Sequence, residues 1–165
     1  MAKSVHRMAS FGESDGQRLP LWDRPGFLVR RLHQIHVAIF LDECAEGNVT
    51  PVQFGLLSVL LQEPGCDQIT LAEKLGIDRT NIADVISRLE RRGWLSRKVN
   101  TKDRRVRVVS LTAKGKMFVG RTHAKMQRAQ ERLLSPLSAS DRVLFVDLLR
   151  RLVAANNVLG RAKLR

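Results

Sequence analysis

Between residues 79 and 91 the chain carries polar side chains with the types and spacing of a surface that reads base edges. With Ile82 at the centre of a buried helical face, a turn of about 100° per residue puts Thr80, Asp84, Ser87 and Arg91 on the opposite side, flanked by Asn81 and Arg88. In a DNA major groove, asparagine can pair bidentately with adenine and aspartate can accept from the cytosine amino group. Threonine can meet a thymine methyl group or a phosphate. Arg79 opens the same helix, where its guanidinium joins unpaired backbone N–H groups that favour a phosphate. A second basic cluster, Lys102, Arg104 and Arg105, follows in the run Asn100-Thr101-Lys102-Asp103-Arg104-Arg105. These cations suit phosphates or a narrow A/T-rich minor groove, whose negative potential attracts arginine. Asp103 is expected to orient Arg105 through a short ion pair. Either cluster alone would also suit a solvated helix exterior or a solvated loop; their adjacency favours contact with nucleic acid.

The charge balance agrees. The chain has 29 Lys and Arg against 16 Asp and Glu, a formal net charge of +13, and such an excess attracts polyanions by releasing their condensed counterions. Residues 66–111 hold eleven basic against six acidic side chains, and residues 112–165 twelve against three, so the charge sits in the C-terminal part. At 165 residues one compact domain is expected. No apolar run approaches the roughly 20 residues that span a bilayer, and the N-terminal stretch lacks a secretory pattern, so the expected location is cytoplasmic, with no membrane partner. Cys44 and Cys66 fit neither a disulfide framework nor a zinc spacing.

The elements that must position these clusters can be read from periodicity and punctuation. Residues 1–22 lack sustained periodicity and read as a flexible arm, with residues 23–165 as a single domain. From Pro25, Leu28, Leu32, Ile35 and Ile39 recur at helical spacing beside Val29, His33, His36 and Phe40, forming one broad apolar face. Thr50-Pro51 opens a second helix that runs to about Gln62, ended by Pro64-Gly65. A short helix from Thr70 to Leu75 ends at Gly76, and Asp78 caps the next. Two short helices joined by a tight Gly76-Ile77 turn, anchored by Leu71, Ala72, Leu75, Ile77 and Ile82, have the spacing of a helix-turn-helix. The segments WLSRKV and VRVVSL, rich in β-formers, then predict a hairpin with the basic run at its tip, a wing. A long helix from Thr112 to about Leu134 follows. Pro136 interrupts it, and Ser138-x-x-Asp141 predicts a capping box for the last helix. The expected class is mainly α with a small β-hairpin wing: a winged helix-turn-helix over 50–111, and a helical region built from 23–47 and 112–165.

The stretch LAEKLGIDRTNIADVISRLERRGWLSRKVNTKDRRVRVVSLTAKG, from Leu71 to Gly115, resembles the MarR family of bacterial regulators. The residues that carry the resemblance are Leu75-Gly76-Ile77, Leu89-Glu90-Arg91-Arg92-Gly93, Arg97, the Asp103-x-Arg105 pair, Leu111-Thr112 and Gly115, and the helix order extends it to about residues 25–160. The resemblance implies a homodimer in which the first and last two helices of each subunit interlock and set two winged units over a pseudopalindromic double-stranded DNA operator. Leu133, Leu137, Leu144, Phe145, Leu148, Leu149 and Leu152 supply apolar surface suited to that. It also implies a repressor released when a small effector, often an aromatic acid, fills a cleft between the helical and winged regions. Asp84 departs from the basic or hydroxyl residue of many relatives; it either restricts the operator or pairs with Arg88 at i+4.

For such an effector, His33 and His36 lie one turn apart near Arg30 and Phe40, where they could hydrogen-bond an anionic or phenolic ligand between subunits. Interface residues paired with backbone or carboxylates are the alternative for both histidines. Trp22 and Phe27 could close over a flat ligand or pack in the core. A metal would need convergent ligands, and His33, His36, His123, Cys44 and Glu43 are a loose set, so neither metal nor cofactor is expected. Cys44 as an oxidant sensor would need a lowered thiol pKa and exposure, and the absence of tyrosine departs from the peroxide-sensing relatives. No Gly-rich phosphate loop, H-E-x-x-H or G-x-S-x-G occurs, which argues against an enzyme. The remaining alternative is a non-specific architectural nucleic-acid-binding protein.

Overall fold

The computed structural model describes residues 19–101 and 103–160. Its order is α1 (Pro25–Glu43), α2 (Pro51–Gln62), β1 (Cys66–Asp67), α3 (Gln68–Leu75), α4 (Arg79–Arg91), β2 (Leu95–Val99), β3 (Arg107–Leu111), α5 (Ala113–Leu134) and α6 (Ala139–Asn156). The chain is mostly helical with one small antiparallel sheet. The expected N-terminal arm falls, for residues 1–18, outside the described residues.

Helix ends follow from their capping side chains. Thr50 accepts from the Gln53 backbone N–H while the Gln53 side chain accepts from the Thr50 N–H, a complete capping box ahead of Pro51. Asp67 accepts from the N–H groups of Ile69 and Thr70, so α3 starts at Gln68 rather than at the expected Thr70. Gly76 closes α3 in the left-handed region at φ +63°, a conformation cheap only for glycine. At α6 the expected box forms by half. Ser138 accepts from the Asp141 N–H, but the Asp141 carboxylate takes the Ser138 hydroxyl at 2.7 Å, not its backbone N–H.

The sheet has the order β1-β3-β2, so the expected hairpin carries a third strand. Leu95 pairs with Leu111 and Val99 with Arg107, while Cys66 and Asp67 pair with Val109 and Val108. Two residues are too short to show alternation in sequence, and β1 exists because β3 offers its other edge. One core joins α1, α2, the two short helices, the sheet and α5: Phe40, Leu56, Leu57, Leu60, Leu71, Ile82, Ile86, Leu89, Val109 and Val119 are each at most 2 % exposed. α6 contributes no buried residue. Its Phe145, Leu148, Leu149 and Leu152 face Leu28, Leu32 and Ile35 of α1 across an apolar groove of about 510 Å³. The apolar stripe of α1 is therefore split: Phe40 enters the core, while Leu28, Val29 and Ile35 stay exposed.

Candidate nucleic-acid interface

α4 is strongly two-faced. Asp78 caps it by accepting from the Asn81 N–H at 3.0 Å, and Ile82, Ile86 and Leu89 bury one side completely. Arg79, Thr80, Asn81, Asp84, Arg88 and Arg91 are exposed on the remaining surface, with Ser87 half-buried. The Asn81 amide donates one N–H to the second Asp78 oxygen at 2.9 Å. That contact fixes its rotamer and leaves its other N–H and its carbonyl for a base edge. Asp84 and Arg88 form no ion pair among the described residues, so the i+4 pairing is not made and both side chains reach solvent separately.

The wing is held by backbone bonds. Asn100 N–H donates to the Val106 carbonyl at 2.8 Å, and Val106 N–H donates to the Asp103 carbonyl at 3.0 Å. The Asp103 carboxylate accepts from the Arg105 backbone N–H at 2.9 Å. The expected Asp103–Arg105 ion pair is thereby corrected: an aspartate bonding two residues on shapes the turn rather than holding the guanidinium. Arg104 and Arg105 point out as exposed cations, and Lys102 lies outside the described residues. Arg105 also borders an open groove of about 650 Å³ with Arg97, Arg107 and the start of α3 at Gln68 and Thr70.

Two braces tie this reading surface to the body, and the sequence singled out their members without their roles. Arg97 on β2 pairs with Glu90 of α4, and that hydrogen bond holds the Glu90 carboxyl below the usual range. Arg97 is thus a strut between helix and wing. Arg92 donates to the carbonyls of Gly47 and Asn48 at 2.6 and 2.9 Å, with its guanidinium 3.8 Å over the Trp94 ring. Trp94 stacks in turn on Phe118 of α5, centroids 3.9 Å apart and 12° from parallel. Burial lowers the Arg92 pKa, an unusual environment that a guanidinium tolerates because it is weakly hydrated.

The candidate ligand residues form a ladder of rings running inward along α1. His33 and His36 are 6.5 Å apart, His36 and Phe40 6.4 Å, and Phe40 and Phe54 6.0 Å. His33 is exposed and His36 half-buried, its ring 3.4 Å from the Gln130 amide of α5. Burial, with a smaller contribution from His33, pushes the His36 pKa down, so its ring is neutral near pH 7. Arg30 is exposed and sits 5.2 Å over Phe27. Phe40 is a sealed core residue at the inner end of the ladder, without surface to offer a ligand. Burial pushes the Cys44 and Cys66 thiols up, so neither is poised as a reactive thiolate.

A family profile described as "MarR family" matches residues 49–106, which contain both clusters. The transcriptional regulator HosA of Escherichia coli O157:H7 is 30 % identical over 125 residues, covering 76 % of this chain and 91 % of HosA. This chain belongs to the MarR family. Among solved structures of this family, the PcaV transcriptional regulator of Streptomyces coelicolor, in complex with its natural ligand, is 37 % identical with a TM-score of 0.78. That match covers 84 % of this chain and 98 % of PcaV. Bordetella bronchiseptica BpsR, whose DNA binding is regulated by 6-hydroxynicotinic acid, is 29 % identical over 82 % of this chain and 97 % of its own, with a TM-score of 0.78. As a MarR-family protein the chain is a DNA-binding transcription regulator, not an enzyme. Among the described residues no helix is long and apolar enough to cross a membrane.

Proposed function

We propose that this MarR-family regulator is a cytoplasmic, homodimeric repressor that occupies a pseudopalindromic operator and leaves it when a small aromatic acid binds. The exposed polar face of α4 beside the cationic wing carries the operator reading. Thr80, Asn81, Asp84, Ser87 and Arg88 meet base edges, while Arg79, Lys102, Arg104 and Arg105 meet phosphates or the flanking minor groove. The winged unit spans 50–111, and 23–47 with 112–165 form the dimerisation region. The apolar seam of α1 and α6 supports two-fold pairing, because exposed leucines in such number mark an interface. The effector enters near Arg30, His33 and His36, where a neutral imidazole and a cation flank the contact of α1 with α5. The regulation of BpsR by 6-hydroxynicotinic acid supports that ligand class.

The test is fluorescence anisotropy on the duplex lying upstream of the neighbouring gene, against duplexes of scrambled sequence and over a salt series. Arg105→Ala should weaken binding and reduce the dependence of log K on log salt by about one. Equal affinity for every duplex would favour the architectural alternative, and an unchanged salt slope would remove Arg105 from the interface.

A further inference from the structure

Where the turn after α1 meets the middle of α5, Cys44, Glu46, Phe118, Arg121, Thr122 and Lys125 line a cavity of about 300 Å³. Thr122 is 5 % exposed, and its hydroxyl has no hydrogen-bond partner among the described residues. No enclosed side-chain oxygen among those residues lacks a partner, so the Thr122 hydroxyl keeps some accessible surface, and Thr122 is part of the cavity wall. Arg121 and Lys125 stand one helical turn apart on the same wall. Lys125 pairs with the exposed Glu46, whereas Arg121 feels Glu46 but forms no ion pair among the described residues. Cys44 adds a thiol kept protonated by burial, a weak donor. Phe118 adds an aromatic wall, and Gly47 leaves room for it, since a Cβ there would lie 2.7 Å from the Phe118 ring.

Hydroxyl, thiol, guanidinium and ammonium are all donors, and all four line the cavity together with an apolar ring, so the complementary ligand is an anion with a carbon body. We propose that this cavity binds a small organic carboxylate. Arg121 and Thr122 hold its oxygens, Lys125 exchanges Glu46 for it, and Phe118 covers its body. The site is separate from the histidine ladder. Gln130 lies eight residues beyond Thr122, about 12 Å along α5, so binding here does not depend on the effector reading at α1.

Because Phe118 stacks on Trp94, occupancy changes the surroundings of that indole. The chain has two tryptophans and Trp22 is exposed, so the full-length chain with Trp22→Phe reports on Trp94 alone. Titration with sodium benzoate, followed by Trp94 emission, should give a saturable change, with neutral benzyl alcohol silent. Arg121→Ala and Thr122→Val should each weaken benzoate about tenfold. Glu46→Gln should tighten it about threefold by removing the competing carboxylate. The proposal is overturned if benzoate gives no saturable signal, if neither Arg121→Ala nor Thr122→Val changes its affinity, if His36→Ala abolishes it, or if inorganic phosphate binds as tightly.

Discussion

Replacing Arg92 with alanine should destabilise the fold by roughly 2–4 kcal/mol without altering how it meets DNA. Its guanidinium makes two charge-assisted hydrogen bonds, to Gly47 and Asn48, and a cation–π contact with Trp94 at 3.8 Å. Hydrogen bonds to charged groups contribute about 1.5–3 kcal/mol each and a partly desolvated cation–π contact about 0.5–2 kcal/mol. Arg92 is half-buried and the three contacts share one side chain, so the lower part of each range applies and the values do not add fully. The loss is nonetheless large against the roughly 5–15 kcal/mol that holds a typical domain. Truncation also uncovers the carbonyl of the buried Gly47. Urea denaturation followed by circular dichroism should show a lower midpoint at unchanged m, with Arg92→Lys restoring less than half of the loss because an ammonium cannot span both carbonyls and the ring. The salt dependence of DNA binding should stay as in the parent chain, since these contacts turn Arg92 inward. A loss below about 0.5 kcal/mol, within the range of an ordinary surface substitution, would refute the brace.

Gly115→Ala should destabilise by about 1–3 kcal/mol or more, because a Cβ there would lie 2.2 Å from the Trp94 carbonyl oxygen. Gly120→Ala, on the same helix with nothing within 4 Å, should stabilise by up to about 1 kcal/mol; urea midpoints of the pair check both. Asn81→Ala should relax base preference by about 1–3 kcal/mol at one position of each half-site, read by competition among single-base variants, whereas a uniform loss would mark a phosphate contact. Acidification should weaken the contact of α1 with α5. The folded pKa of His36 lies below the ordinary value of about 6.5, so the unfolded chain takes up the proton first. Stability therefore falls as pH drops from about 6.5 through the folded pKa. His36→Gln should flatten that fall in thermal midpoint, and an unchanged pH profile would exclude His36 as its source.

The local grammar of the chain was enough for most of its elements. Thr50-Pro51, Gly76, Asp78, Thr112 and Ser138 mark helix ends because each solves a problem confined to a few residues, an unpaired N–H or a left-handed turn. The two faces of α4 were legible for the same reason, since 3.6-residue periodicity alone separates Ile82, Ile86 and Leu89 from Thr80, Asp84 and Arg88. Contacts between residues distant in sequence left no such mark. Cys66 and Asp67 become a strand only because β3 has a free edge, and Asp103 serves the wing backbone by accepting from the Arg105 N–H that the turn brings to its carboxylate. Arg92 and Gly115 could be noted as family marks, yet their reason is spatial: the stack of Arg92, Trp94 and Phe118 assembles from a helix end, a strand start and α5, and Gly115 packs against the Trp94 carbonyl. Likewise, charge along the chain pointed to DNA, but only the tertiary fold set Arg97 beside Glu90 as a surface strut and left Arg104 and Arg105 facing out. Side-chain type and periodicity describe what a residue can do, and the neighbours brought by the tertiary fold decide which of those things it does.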